Sequence, residues 1–361
     1  MQSTFERPTV RLRPITSRIL RHLPARDADL RNSARERVEL APATTTRTVA
    51  ALSLPNEIDR ASGTMATSTL AFERRQAGSI EIRHAPTTAY RVDGGLVHDG
   101  TCYANGRLER LAPRRGRLFA SGRLDSIEEA QLCIDVGASQ YFGHWLIDAL
   151  STELLAQDRG LPALTVPNEG RLHESGYREL LGLHARAASC TWVDRLWIVD
   201  DRGYNKGRVD RLHRLRALAR AGIGESRPPW RNVYIDRGHL GADRNLSNCD
   251  ALVDVLKARG FDILRPERES PHDIARMLTT ARLVVGIEGS HLNHALLAMR
   301  AGGALVAIQP PHRFNMFNNT IASFIGLRFG FVVADARANG FEVDLGRLSE
   351  TLDLVERRID P

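Results

Sequence analysis

Leu283-Val284-Val285-Gly286-Ile287-Glu288-Gly289-Ser290-His291-Leu292-Asn293-His294 is the stretch on which the fold turns. Leu283–Ile287 runs without a polar side chain, the pattern of a strand buried on both faces. Glu288-Gly289 breaks the run, and Ser290 stands where a helix over Ser290–Met299 takes a side-chain cap. The same grammar continues in both directions. Downstream, Gly302-Gly303 leads into a strand at Ala304–Ile308, a helix at Asn315–Ile325, a strand at Phe329–Val333 and a helix at Leu345–Arg358. Upstream lie a strand at Asn232–Asp236, a helix at Ser247–Arg259 and a strand at Phe261–Leu264. A helix at Pro271–Ala281 follows, with proline in its first turn. Strand–helix alternation of this kind predicts a parallel sheet covered on both faces.

A less regular alternation occupies the middle of the chain. Strands are expected at Leu132–Val136, Ala163–Val166 and Leu196–Val199, and helices at Gly143–Gln157, His173–Leu183 and Arg208–Ala221. Gly224–Pro229, with Pro228-Pro229, reads as a linker. Residues 78–124 predict β-hairpins, with turn signals at Asp93-Gly94-Gly95, Asp99-Gly100 and Asn105-Gly106. Residues 1–75 predict a basic, poorly ordered lead-in. The expected class is α/β. Two Rossmann-like domains, 76–224 on the acceptor side and 225–361 for a nucleotide ligand, would face a cleft, with ligands beyond the carboxyl ends of the strands.

Composition sets outer limits. The chain has 361 residues, 42% hydrophobic and 26% charged, which excludes wholesale disorder. No apolar run is long enough to span a bilayer, and the N-terminus shows no apolar leader. Cys102, Cys133, Cys190 and Cys249 are scattered, which fits a reducing, cytoplasmic setting better than a disulfide framework or a zinc knuckle. The net charge is +7, yet from Glu225 onward 17 basic residues meet 17 acidic ones. Residues 1–40 hold nine arginines against five acids. The excess is either solubility charge or a surface for something anionic, such as the inner face of a membrane or an acidic polymer. Without an aromatic platform it gives no support for nucleic acid. The near-absence of lysine, Lys206 and Lys257 alone, is the usage of a GC-rich bacterial genome.

Four clusters carry candidate chemistry. His144 and Asp148 are spaced i, i+4 on one helical face, either a general base with its orienting acid or a structural pair. In the deciding stretch, Gly289 permits a tight turn and Ser290 a helix start where amide groups can meet a diphosphate. There Glu288 is placed for sugar hydroxyls or as a base, and His291, Asn293 and His294 for ligand contact. The bland reading of that turn is ordinary capping. Arg237 at a strand end, Arg244 in the following loop and Asn248 can clamp phosphate oxygens or simply be surface residues. Pro311-His312-Arg313, again after a strand, is either a plain rigid loop or one that offers Pro311, His312 and Arg313 as ligand contacts. Phosphate loops of the GxGxxG and GxxxxGK[ST] types are absent, as are HExxH and GxSxG. Asp200-Asp201 alone is weak evidence for a divalent metal.

Taken in order, these segments resemble glycosyltransferase family 61. Tyr141-Phe142-Gly143-His144-Trp145-Leu146-Ile147-Asp148 resembles its "(N/Y)xGHWLxD" signature. Tyr234-Ile235-Asp236-Arg237 stands at its "yIsR" strand, Arg244 to Asn248 at "RxxxN", Gly260-Phe261 through Pro266 at "GFxvvxPE", and Gly286 through His294 at "GxHGAGLxN". Glu288 replaces the family's histidine, His291 its second glycine and His294 its asparagine. The resemblance implies a GT-B architecture and an inverting, metal-independent glycosyltransferase of polysaccharide or glycoconjugate biosynthesis, as in bacterial capsule assembly. The nucleotide-sugar would be a co-substrate, with no other cofactor, and the acceptor a saccharide or lipid-linked saccharide. A homodimer is compatible with it. For such a transferase the residues themselves offer as base His144 oriented by Asp148, Asp148 directly, or thirdly Glu288, and offer Arg237 and Arg244 for the departing diphosphate. The alternative is a non-catalytic binding or assembly protein for an anionic polymer or lipid.

Overall fold

Five parallel strands form where the apolar runs predict them: Arg231–Ile235, Phe261–Leu264, Ala281–Ile287, Ala304–Gln309 and Arg328–Val333. This computed structural model describes residues 8–20, 29–113, 116–167, 171–224, 230–238 and 245–359. Arg244, the linker candidate at 225–229 and parts of the expected lead-in (1–7 and 21–28) lie outside the described residues. The chain divides into two units that interleave in sequence. One takes Met1–Thr44, His84–Arg171 and Gly182–Arg211, the other Thr45–Arg83, Leu172–Leu181 and Leu212–Pro361.

In the second unit the spatial order of the five strands is second, first, third, fourth, fifth. The order reverses between the first and third strands, and ligands of such sheets bind beyond the carboxyl ends at that point. Asp236-Arg237 and Glu288-Gly289 leave the sheet there. Leu283, Val285, Val306, Ile308 and Val332 pack with Leu252, Leu256, Leu348 and Leu352 in one buried core. Residues 45–83 belong with this sheet. Leu52 N donates to Phe329 O and Leu52 O accepts from Phe331 N, at 2.8 and 3.0 Å. Buried Glu57 accepts from Val333 N at 2.6 Å and pairs with Arg347. Met316 N donates to Glu73 at 2.7 Å, and Asn319 donates to Val49 O and Gln76 O. The sequence reading assigned residues 45–75 to the lead-in, because side chain–to–backbone bonds spanning about 250 residues leave no local pattern.

The first unit holds a mixed sheet rather than an all-parallel one. Arg107–Arg110, Thr101–Ala104, Thr87–His98 and Cys190–Asp200 pair antiparallel, with Glu36–Ala41 also on Thr87–His98. Cys190–Asp200, Asp125–Leu132, Ala163–Thr165 and Ala185–Ala187 continue it in parallel. Asp99-Gly100 and Asn105-Gly106 make two-residue turns with both φ values positive, the twist-matched hairpin geometry. Asp93-Gly94-Gly95 is no turn. It lies inside the long strand, where Gly94 at φ +69° lets the backbone approach the Trp192 ring. Among the described residues no helix is long and apolar enough to cross a membrane, and the four cysteines are free thiols.

Candidate functional site

In the first unit the chain leaves Asp125–Leu132 and starts a short helix, Val136–Gln140, whose N-terminus is capped by the Asp135 carboxylate on Ala138 N at 2.7 Å. Phe142–His144 begins the next helix, one π turn follows at Trp145–Ala149, and α-helix resumes at Leu150–Asp158. A π turn inserts a residue and rotates the faces beyond it, a device concentrated at functional sites. Here Trp145, Leu146, Ile147 and Ala149 are buried, while His144 and Asp148 stay accessible.

His144 Nδ1 donates to Asp148 Oδ2 at 2.7 Å. That hydrogen bond raises the imidazole above its ordinary value; partial burial and Arg208 pull it down, and the charges of Asp148 and Asp135 push it up. Asp148 Oδ1 is taken by Arg208, whose guanidinium is almost fully buried. Arg208 also donates to Asp201 O and lies 4.3 Å from the Tyr204 ring centroid. Burial disfavours its charge, but Tyr204, Asp148 and Asp201 outweigh burial and hold it above the ordinary arginine value. One carboxylate therefore sits between an accessible imidazole and a sealed cation.

The support extends one layer deeper. Arg211 Nη2 donates to both oxygens of Asp201 at 2.6 Å, and Thr87 Oγ1 donates to Asp201 Oδ1 at 2.6 Å. These bonds engage both oxygens of Asp201, which points it away from the metal role weighed for Asp200-Asp201. Asn205 caps the helix Lys206–Ile223 through Arg208 N and donates to Ala85 O and Thr87 Oγ1, which fixes the turn that presents Arg208. Arg208 escaped the sequence reading because it lies sixty residues from Asp148 in an arginine-rich helix. Its one signal in the sequence is Asn205, a residue type that caps helices, three positions before it.

In the second unit the strand ends bring Arg237, Gly289 and His291 together. Gly289 has φ +156°, and a Cβ there would stand 3.2 Å from Arg237 Nη1 and from the His291 ring. The glycine thus keeps open the close approach of a cation to the turn backbone. Glu288 is buried, its N–H bonded to Ile308 O at 2.8 Å and its carboxylate 3.8 Å from Arg313 Nε. Ser290 does not cap the helix with its side chain. A 3₁₀ turn, Ser290–Leu292, intervenes before Asn293–Ala298, and Asn293 donates to Ser290 O at 3.1 Å.

Three expected ligand residues are otherwise engaged. His294 is buried, its ring stacked on Tyr177 and edge-on to His173, and its Nδ1 accepts from the Tyr177 hydroxyl at 2.5 Å. Burial, with His173 and His291 adding, holds it well below the usual histidine value. It packs this helix and does not reach outward. Asn248 ties the loop to Val343, donating to its O at 2.8 Å and accepting from its N at 3.2 Å. Pro311 O accepts from Ser62 N and Gly63 N, which braces the loop rather than exposing it. His312 borders an open hollow of about 390 Å³ with Asn245, Arg337 and Phe341. Among the described residues no group of three His, Cys, Asp or Glu is arranged to hold a metal.

A family model described as Glycosyltransferase 61 matches residues 142–306, somewhat under half of the chain. The matched span contains His144, Asp148, Arg208, Arg237 and the Glu288–His294 turn, and it supports a glycosyltransferase. No curated protein matches the chain.

Proposed function

We propose that this protein transfers a sugar from a nucleotide-sugar to a saccharide acceptor, with inversion and within a GT-B-like architecture. The observation that carries the reading is the Asp148 carboxylate shared between His144 and buried Arg208. With its Nδ1–H fixed on Asp148, the neutral imidazole presents Nε2 as a base. It takes the proton of the acceptor hydroxyl as that oxygen attacks the anomeric carbon and the bond to the diphosphate breaks. Asp148 stabilises the imidazolium that forms, and Arg208 holds the other carboxylate oxygen in place.

The leaving diphosphate gathers charge as the bond breaks, and fixed donors aimed at that charge accelerate the step. Arg237 beside Gly289 and His291 is assigned to it in the second unit, with Arg244 as its sequence neighbour. Glu288, paired with Arg313, is assigned to sugar hydroxyls, since a carboxylate repels phosphate. His312 and Asn293 are placed on the remainder of the donor. The reading includes a role in polysaccharide or glycoconjugate synthesis on the cytoplasmic side, without a metal or further cofactor. A screen of nucleotide-sugars read by released nucleotide tests it, comparing wild type with Asp148→Ala and Arg237→Ala. Loss of turnover in both supports the assignment; undiminished turnover in both folded variants rejects it.

A further inference from the structure

We infer that the N-terminal helix and the segment lying along it form a docking surface for anionic lipid, a property separate from the transfer reaction. Pro8–Arg11 and Arg13–Leu20 are helical. Thr9, Leu12, Thr16 and Ile19 face solvent, while Val10, Pro14 and Ser17 face inward. The most exposed positions therefore carry no charge, and two of the four are large aliphatic side chains, with Arg11, Arg13 and Arg18 half-exposed at their flanks. The 116–124 segment runs against it. Ala120 N donates to Arg11 O at 3.0 Å, and the Arg11 guanidinium donates to Ala120 O and Gly122 O at 3.4 and 3.3 Å. Leu12, Ile19, Leu118 and Phe119 are 46, 61, 50 and 52% exposed. Large apolar side chains grouped on two adjoining segments are a contact surface, not scattered exposure.

Charge selects the occupant. Residues 8–20 and 116–124 contain five arginines and no Asp or Glu. Arg13 donates to Gly94 O at 3.2 Å and Arg18 to Gly116 O, so neutral carbonyls hold these side chains without cancelling their charge. Apolar side chains that insert below the headgroups, ringed by arginines at phosphate level, are the arrangement that binds an anionic bilayer surface. A second copy of the same surface would bring like charges together.

The test is flotation with vesicles of phosphatidylcholine alone and of equal parts phosphatidylcholine and phosphatidylglycerol, using the full chain. Wild type is expected to bind the anionic vesicles only, and less at high salt. Leu12→Ser with Ile19→Ser, and separately Phe119→Ser, are expected to bind about tenfold more weakly. Both variants should keep the donor turnover of wild type in solution, which separates this surface from the catalytic reading. Absence of wild-type flotation, unchanged binding by both variants, equal competition by a soluble polyanion, or a change in oligomeric mass in place of lost flotation would overturn the inference.

Discussion

The coupling between Arg208 and Asp148 can be measured by a double-mutant cycle. Asp148→Asn leaves a buried guanidinium facing a neutral amide. Removing one partner of a buried pair costs about 3–5 kcal/mol, and the low end applies here because Asp148 keeps some contact with water. About 3 kcal/mol is expected. Arg208→Met removes the cation, its bond to Asp201 O and its contact with the Tyr204 ring, and leaves Asp148 partly hydrated. About 2–3 kcal/mol is expected. The double variant has no uncompensated charge, so its loss should fall short of the sum by at least about 1.5 kcal/mol. Urea unfolding followed by tryptophan fluorescence reads all four corners of the cycle. Additivity within about 0.5 kcal/mol would show that the two groups do not act as a pair, and the pinned carboxylate behind His144 would lose its basis.

Three other outcomes follow from named contacts. If His144 is the base, the acid limb of the rate profile should lie above the ordinary histidine value of 6.5, since Asp148 raises the imidazole; Asp148→Asn should move that limb to lower pH. A limb that stays put would remove His144 from the proton transfer. His294 is held neutral when folded, so its contribution is complete above about pH 6.5 and declines as pH falls toward its depressed folded value. His294→Gln, scanned by thermal unfolding between neutral and mildly acidic pH, should lose less Tm on acidification than wild type. Gly289→Ala would place a methyl 3.2 Å from Arg237 and His291 at φ +156°. Calorimetry with a nucleoside diphosphate should show binding weakened about tenfold or more while the fold persists, and unaltered affinity would take Arg237 away from the phosphate.

Local pattern carried the second unit's sheet almost residue by residue, because parallel strands buried on both faces are continuous apolar runs. Leu283–Ile287 was expected and Ala281–Ile287 formed. It also carried the two hairpin turns, whose Asp-Gly and Asn-Gly pairs demand positive φ. The i, i+4 spacing placed His144 against Asp148, although a π turn occupies that face. What long-range contact decides stayed hidden. Glu57 reaches Val333 and Arg347, and Arg208 reaches Asp148, through side chains whose partners lie far away in sequence. His294 looked like a ligand because its burial under Tyr177 depends on a helix 117 residues earlier.

The central claim is that His144 is the base of a sugar transfer. His144→Gln keeps a side chain that can hydrogen-bond Asp148 and removes the basic ring. Transfer should be measured at saturating nucleotide-sugar and acceptor, with donor affinity determined in parallel. A fall in kcat of about a hundredfold or more with donor affinity unchanged is the outcome this account requires. A kcat within about twofold of wild type would contradict it.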